Sequence, residues 1–200
     1  MQTNIYLVRH GEVHNPKGII YARLPRYSLS KKGIKQIEQT SNFLKNKDIS
    51  AIYSSPMLRT RQTSKIIQNK LPNSKIRYLI DLMEVKTSLQ GKLFADVDLV
   101  NTDYYSPPVL KPTDETMEQI GARMEKAIKM IARNNMGKNI VIVSHGDPIM
   151  ILEARIKKLP MKMSSIRGIP YITHGEIIQF TTKPNDEIQT KRVFIPELSR

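Results

Sequence analysis

Two apolar runs of strand character each end in a histidine followed by a glycine. Ile5, Tyr6, Leu7 and Val8 lead into Arg9, His10, Gly11 and Glu12, while Ile140, Val141, Ile142 and Val143 lead into Ser144, His145 and Gly146. Short buried strands that end this way present two imidazoles at one edge of a single sheet. In open α/β sheets the carboxyl edge is where ligands bind. Arg9 adds a fixed cation beside the first imidazole, and histidine with arginine at such an edge suits phosphate chemistry.

The rest of the chain limits the alternatives. Its 200 residues contain no cysteine, which excludes disulfide scaffolds, thiolate metal sites and cysteine nucleophiles. No apolar run approaches the ~18 residues a membrane helix needs, and the N-terminus has no basic-then-apolar leader. The expected location is therefore the cytoplasm, with no membrane partner. Residues 1–80 hold 15 Lys and Arg against 3 Asp and Glu, and residues 81–200 hold 17 against 15. Most of the excess reads as solvated helix-face lysine, as at Lys31, Lys32, Lys35, Lys45 and Lys47. Its field nevertheless favours an anionic substrate. With 8 Tyr, 4 Phe and no Trp there is no aromatic-interleaved basic patch, so nucleic acid is not an expected partner.

Strand and helix patterns alternate, which predicts α/β layering. Ser30 is placed to cap a helix carrying Ile34, Ile37, Ser41 and Leu44 at helical spacing. A strand at Ala51, Ile52, Tyr53 and Ser54 precedes a helix opened by Pro56 and running to about Lys70. A third strand is expected over 76–80. The stretch 81–112, with Pro107, Pro108 and Pro112, reads as a long loop or cap with at most short helices. Thr113 or Asp114 is expected to cap the clearest helix, whose stripe is Met117, Ile120, Met124, Ile128 and Ile131, with Gly137 ending it. A helix from Pro148 to about Lys158 follows the second His-Gly strand. Residues 175–181 and 188–195 predict a hairpin joined through 183–187. The whole chain, 1–200, reads as one domain.

A phosphoryl-transfer site needs cations and N–H donors for the phosphoryl oxygens, a nucleophile, and a proton donor for the leaving oxygen. Neither a carboxylate cluster nor a phosphate-cradling glycine loop accompanies the His-Gly steps, so arginine and histidine alone have to meet the charge. No cofactor and no metal are expected. His10 is the natural nucleophile, and Arg9, Arg59 and His145 are candidate anion ligands. Glu84 is placed to protonate the leaving group and then activate water. Glu12 reads as structural, and His14 and His174 as surface residues.

These segments resemble the histidine phosphatase superfamily, also called phosphoglycerate mutase-like. Leu7 to Glu12 carries the Arg-His-Gly-Glu motif. Ser54-Ser55-Pro56 leads to Arg59, Leu82-Met83-Glu84 follows, and Ser144-His145-Gly146-Asp147-Pro148 closes the series in family order. The resemblance spans roughly residues 4 to 150. It implies a three-layer α/β/α sandwich with a mostly parallel central sheet and a short cap insertion at about 85–112. It also implies a phosphorylated His10, a phosphate pocket completed by Arg9, Arg59 and His145, an acid/base Glu84, and no metal. Asn15 matches the asparagine that helps hold the transferring phosphoryl group. The chain departs from the pattern at Val13, where Ser or Thr is common, and at Ala22 and Arg26, often glycine or acidic. Arg23, taken as substrate-binding, and Arg26 make that loop more cationic than usual.

Mutases of this superfamily carry a longer insertion between the positions of Glu84 and His145, which here are 61 apart. The shorter, proline-broken cap favours water as the acceptor. The expectation is a metal-independent phosphomonoesterase acting on a small anionic phosphate ester. The alternatives are mutase-type transfer and a catalytically idle phospholigand-binding module.

Overall fold

The structure, a computed structural model, describes residues 2–98, 102–182 and 187–199. Six strands form one sheet: β1 (Thr3–Arg9), β2 (Ile49–Ser54), β3 (Lys75–Tyr78), β4 (Asn139–Ser144), β5 (Ile177–Thr182) and β6 (Ile188–Phe194). Their order across the sheet is β3-β2-β4-β1-β5-β6. The first four are mutually parallel, and β5 and β6 are antiparallel additions beside β1.

Side chains alternate along the strands, and the alternation divides the core. Ile5, Leu7, Ile140 and Ile142 face one way, into a cluster with α3 (Met117–Asn134), α4 (Gly146–Ile156) and α5 (Met163–Arg167). Tyr6, Val8, Val141 and Val143 face the other, against α1 (Lys31–Leu44) and α2 (Leu58–Lys70). Because both faces are covered, the strands read as unbroken apolar runs. The three-layer α/β/α sandwich expected from the sequence is what forms.

Topology places the site. β1 leads to β2 and then β3, moving outward, whereas β4 returns to insert between β2 and β1. The carboxyl ends of β1, β4 and β2 therefore lie side by side, with Arg9 in register with Ser144 and Ser54 with Val143. This is a switch point of the kind where α/β sheets take ligands.

Most element ends fall near their expected positions, and the differences have local causes. Ser30 caps α1 as expected, its hydroxyl accepting from Gly33 N at 2.9 Å. The cap of α2 is Met57, one residue beyond Pro56. Neither Thr113 nor Asp114 caps α3. Thr116 does, in a capping box with Gln119, while the Asp114 carboxylate accepts from the backbone and hydroxyl of Ser88. All five stripe residues of α3 are buried. α3 ends at Asn134, before Gly137. α4 begins at Gly146, two residues ahead of Pro148, so His145 itself is the cap. The third strand stops at Tyr78, and Ile80–Leu82 forms a 3-10 turn. β5 and β6 pair as the hairpin predicts, although residues 183–186 of its connection lie outside the described residues. The described part of the cap holds the 3-10 turn Phe94–Asp96 and an isolated bridge from Leu93 to Ile19. It is tied to the loop after β1 through Phe94 N to Gly18 O and Ile20 N to Lys92 O, both 2.8 Å. α5 was not anticipated.

Candidate active site

Each histidine leaves the sheet at a strand end, and the glycine after it is dictated by packing. A Cβ on Gly11 would lie 2.4 Å from the carbonyl oxygen of Gly33 in α1. One on Gly146 would lie 2.3 Å from the Tyr171 hydroxyl. The first contact is with backbone and only glycine permits it, whereas the second is with the end of the Tyr171 side chain, which would have to move.

His10 is 1% exposed. Its Nδ1 lies 2.8 Å from the Gly11 carbonyl oxygen. A carbonyl can only accept, so Nδ1 carries the proton and Nε2 keeps the lone pair. Arg59 Nε donates towards that Nε2 at 3.1 Å. Burial, then Arg59 and Arg9, hold the imidazole pKa well below its ordinary value, so His10 is neutral and its Nε2 is unprotonated.

Arg59 is itself 1% exposed, the largest fully buried side chain among the described residues. Its Nη2 donates to the Ala22 carbonyl at 2.9 Å and lies 3.6 Å from Glu84 Oε2. The guanidinium also sits 4.9 Å from the Tyr21 ring centroid. His145, fully buried, has its Nε2 2.9 Å from Ser55 Oγ and its Nδ1 3.7 Å from Glu84 Oε2. The two imidazole centroids are 5.3 Å apart. Burial and Arg59 also keep His145 neutral. Arg9 donates from Nη1 to the Ile172 carbonyl at 2.6 Å and lies over the Tyr171 ring. Arg9 Nε and His145 Nδ1 are buried without a hydrogen-bond partner among the described residues.

Glu84 is held by its backbone. Its carbonyl accepts from Arg23 Nε at 2.7 Å and from Arg123 Nη2 at 3.3 Å. Ser144 Oγ anchors the neighbouring Leu82 carbonyl at 2.8 Å. Burial pushes the Glu84 carboxyl above the ordinary carboxylate range; Arg59 pulls it back, and Asp147 adds to the push. A carboxyl in this state is suited to giving up a proton.

The structure thus brings together Arg9, His10, Arg59, Glu84 and His145. The amide of Asn15 is bonded at both ends to the backbone of Ile19. Arg23 donates from Nε to the Glu84 carbonyl and pairs with Glu115 Oε2, both at 2.7 Å. Glu12 is structural as expected, accepting from the Ser30 hydroxyl at 2.7 Å. His14 is exposed. His174, expected at the surface, instead sits with its ring 5.7 Å from that of His10, and its pKa is lowered to about 3 by burial and Arg9.

Sequence reasoning also passed over Tyr171, which follows an irregular segment, and the role of Asp147. The latter accepts from the Tyr171 hydroxyl at 2.5 Å and the Tyr105 hydroxyl at 2.7 Å. Asp147 lay inside the fourth motif, whereas no signal marked Tyr171.

Ligand atoms of His10, Glu84 and His145 lie within 4.8 Å of one another, a spacing a metal ion would accept. Arg59 Nε, however, points at the His10 lone pair, and two guanidinium groups flank the cluster. That donor set fits an anion better than a dication.

The chain belongs to the histidine phosphatase superfamily (branch 1), whose profile it matches over residues 5–186. Among its relatives is the 2,3-bisphosphoglycerate-dependent phosphoglycerate mutase of Thermoplasma acidophilum. It is 30% identical over 146 residues, covering 72% of this chain and 70% of the mutase. The metal-independent phosphoserine phosphatase of Arabidopsis thaliana is 28% identical over 164 residues, covering 77% of this chain and 68% of that protein. The solved structure of Bacillus stearothermophilus YhfR superimposes with a TM-score of 0.85 at 20% identity, over 99% of this chain and all of that one. Phosphoryl transfer is the chemistry common to the two named enzymes. No described helix is long and apolar enough to cross a membrane.

Proposed function

We propose that this chain hydrolyses small phosphate monoesters without a metal, through a phosphohistidine on His10. The observation that carries the reading is the buried, neutral imidazole whose Nδ1 is fixed on Gly11 O, leaving the Nε2 lone pair beside Arg59. His10 Nε2 attacks phosphorus, and the bond from phosphorus to the alcohol oxygen breaks. Glu84 delivers its proton to that oxygen. The Glu84 carboxylate then takes a proton from water, whose oxygen attacks phosphorus and breaks the P–N bond, restoring His10. Arg9, Arg59 and the unpartnered Nδ1 of His145 meet the charge on the phosphoryl oxygens.

Hydrolysis of p-nitrophenyl phosphate in excess EDTA tests this. The wild type releases nitrophenol, and His10→Ala does not. Equal release by the variant would overturn the phosphohistidine route, and dependence of the wild type on added metal would overturn metal independence. A second reading, mutase-type transfer, is favoured by the Thermoplasma relative. Incubation with 3-phosphoglycerate separates the two, giving inorganic phosphate for hydrolysis and the 2-phosphate isomer for transfer. The separation of Glu84 and His145 by 61 positions and the broken cap within it support water as acceptor.

A further inference from the structure

Beside the catalytic cluster lies a cavity of about 340 Å³, with Arg9 and Glu84 in its wall and a depth reaching under the cap. Its size is that of a small-molecule pocket. Much of its surface is apolar and aromatic: Tyr21, Leu89, Phe94, Tyr104, Tyr105 and Leu110. Its charges are unusual for a site that takes anions. Four acidic side chains line it, Glu84 (beside Arg59), Asp114, Glu115 and Asp147, against two basic ones, Arg9 and the exposed Lys86. Arg9 sits at the phosphoryl end. Arg23 and Arg123, which approach from behind, are both paired with Glu115. The hydroxyls of Tyr105 and Tyr171 are likewise committed, both donating to Asp147.

An alcohol leaving phosphorus towards this cavity would meet aromatic rings and acidic side chains, with little to pair a second anion. We propose that the cavity is a leaving-group site for uncharged apolar alcohols, aryl alcohols above all. Phosphomonoesters whose alcohol carries a carboxylate or a second phosphate are then disfavoured. The inference rests on the reading of His10 as a phosphoryl acceptor, and it specifies the substrate class of that same site. Rings stack against rings and apolar area leaves water, whereas a carboxylate on the alcohol would find Arg23 and Arg123 already engaged by Glu115 and the Tyr105 and Tyr171 hydroxyls already given to Asp147.

Turnover alone would confound the test, because aryl alcohols are also better leaving groups. Binding of phosphonates, whose P–C bond is not hydrolysed, avoids this. By titration calorimetry, benzylphosphonate is expected to bind the full chain roughly ten- to a hundredfold more tightly than methylphosphonate. Phosphonoacetate is expected to gain nothing over methylphosphonate. Phe94→Ala and Tyr104→Ala, both at partly exposed positions, lower the affinity for benzylphosphonate severalfold and leave the methylphosphonate affinity close to that of the wild type. Phosphonoacetate binding as tightly as benzylphosphonate, or an unchanged benzylphosphonate affinity in both variants, would overturn the proposal. If the benzyl preference holds while no ester is hydrolysed, the cavity assignment stands and the hydrolytic reading falls.

Discussion

The bond from His10 Nδ1 to Gly11 O decides what the imidazole can do, because it fixes which nitrogen holds the lone pair. Glu84 is the complementary case, a carboxyl whose hold on its proton is strengthened by burial, which suits the acid role proposed for it. Glu84→Gln is expected to slow hydrolysis by about 10²–10⁴-fold for alkyl phosphates, the usual range for loss of a general acid. p-Nitrophenyl phosphate, whose alcohol needs little protonation, should lose much less. Steady-state rates on both esters read the difference, and equal losses would remove Glu84 from the acid role. The two buried histidines also make stability depend on pH. Both have folded pKa values depressed below the ordinary 6.5. Their contribution is therefore present above about 6.5 and is lost as pH falls below it, because the unfolded chain then binds protons that the folded chain refuses. The loss approaches about 1.4 kcal/mol per pH unit for each histidine. Glu84, shifted upward, runs the other way and offsets part of it. Urea unfolding at pH 7.5 and 5.5 should show a lower free energy at 5.5 in the wild type, and a smaller drop in His10→Asn.

Among the elements, the contact between the start of α1 and the loop after β1 is the tightest constraint on the site. A Cβ on Gly33 would lie 2.1 Å from the Glu12 carbonyl oxygen, backbone against backbone. Gly33→Ala should therefore cost about 1–3 kcal/mol in urea unfolding, as overpacking does, and lower activity by shifting Gly11 and His10. Gly121→Ala in α3 meets only side chains: the flexible Arg155 at 3.0 Å, Ile151 at 3.5 Å and Met161 at 3.7 Å. There the tight contact opposes the helix-propensity gain of up to ~1 kcal/mol, and little change is expected. Comparable losses in the two variants would show that the contact is not special. The same distinction between local and long-range constraint explains what the sequence made legible. The His-Gly strand ends and the α3 stripe were readable because their signals are local and periodic. The start of α3 was misplaced because Thr113, Asp114 and Thr116 all have capping side chains, and only Gln119 completes a box with Thr116. Asn15 has the right chemistry for phosphate, but its amide closes on Ile19, four residues away. Arg23 is taken by Glu115, 92 residues on. His174 and Tyr171 reach the site because β5 pairs antiparallel with β1, a register that no local pattern in that irregular segment announces.

Over the whole molecule the charge is uneven in a way that the fold converts into a field. The net +12 of residues 1–80 belongs to the chain that builds β1, β2, β3 and the layer of α1 and α2. Lys31, Lys32, Lys35, Lys45, Lys65 and Lys70 are exposed there, and α1 and α2 contain a single acidic residue, Glu38. Under the proposed function, such a layer would attract the phosphate ester before contact, while Arg9 and Arg59 would bind it after contact. Salt separates the two contributions, since exposed charges more than ~10 Å away are largely screened at 0.1 M and buried ones are not. The value of kcat/KM for p-nitrophenyl phosphate should fall severalfold between about 0.02 and 0.5 M KCl if the layer contributes. The combined variant Lys35→Glu, Lys45→Glu and Lys65→Glu should start lower and show a shallower dependence, with kcat unchanged because none of the three touches the site. An identical salt dependence in the variant would assign the attraction to the buried arginines alone, and the basic layer would then act only through solvation.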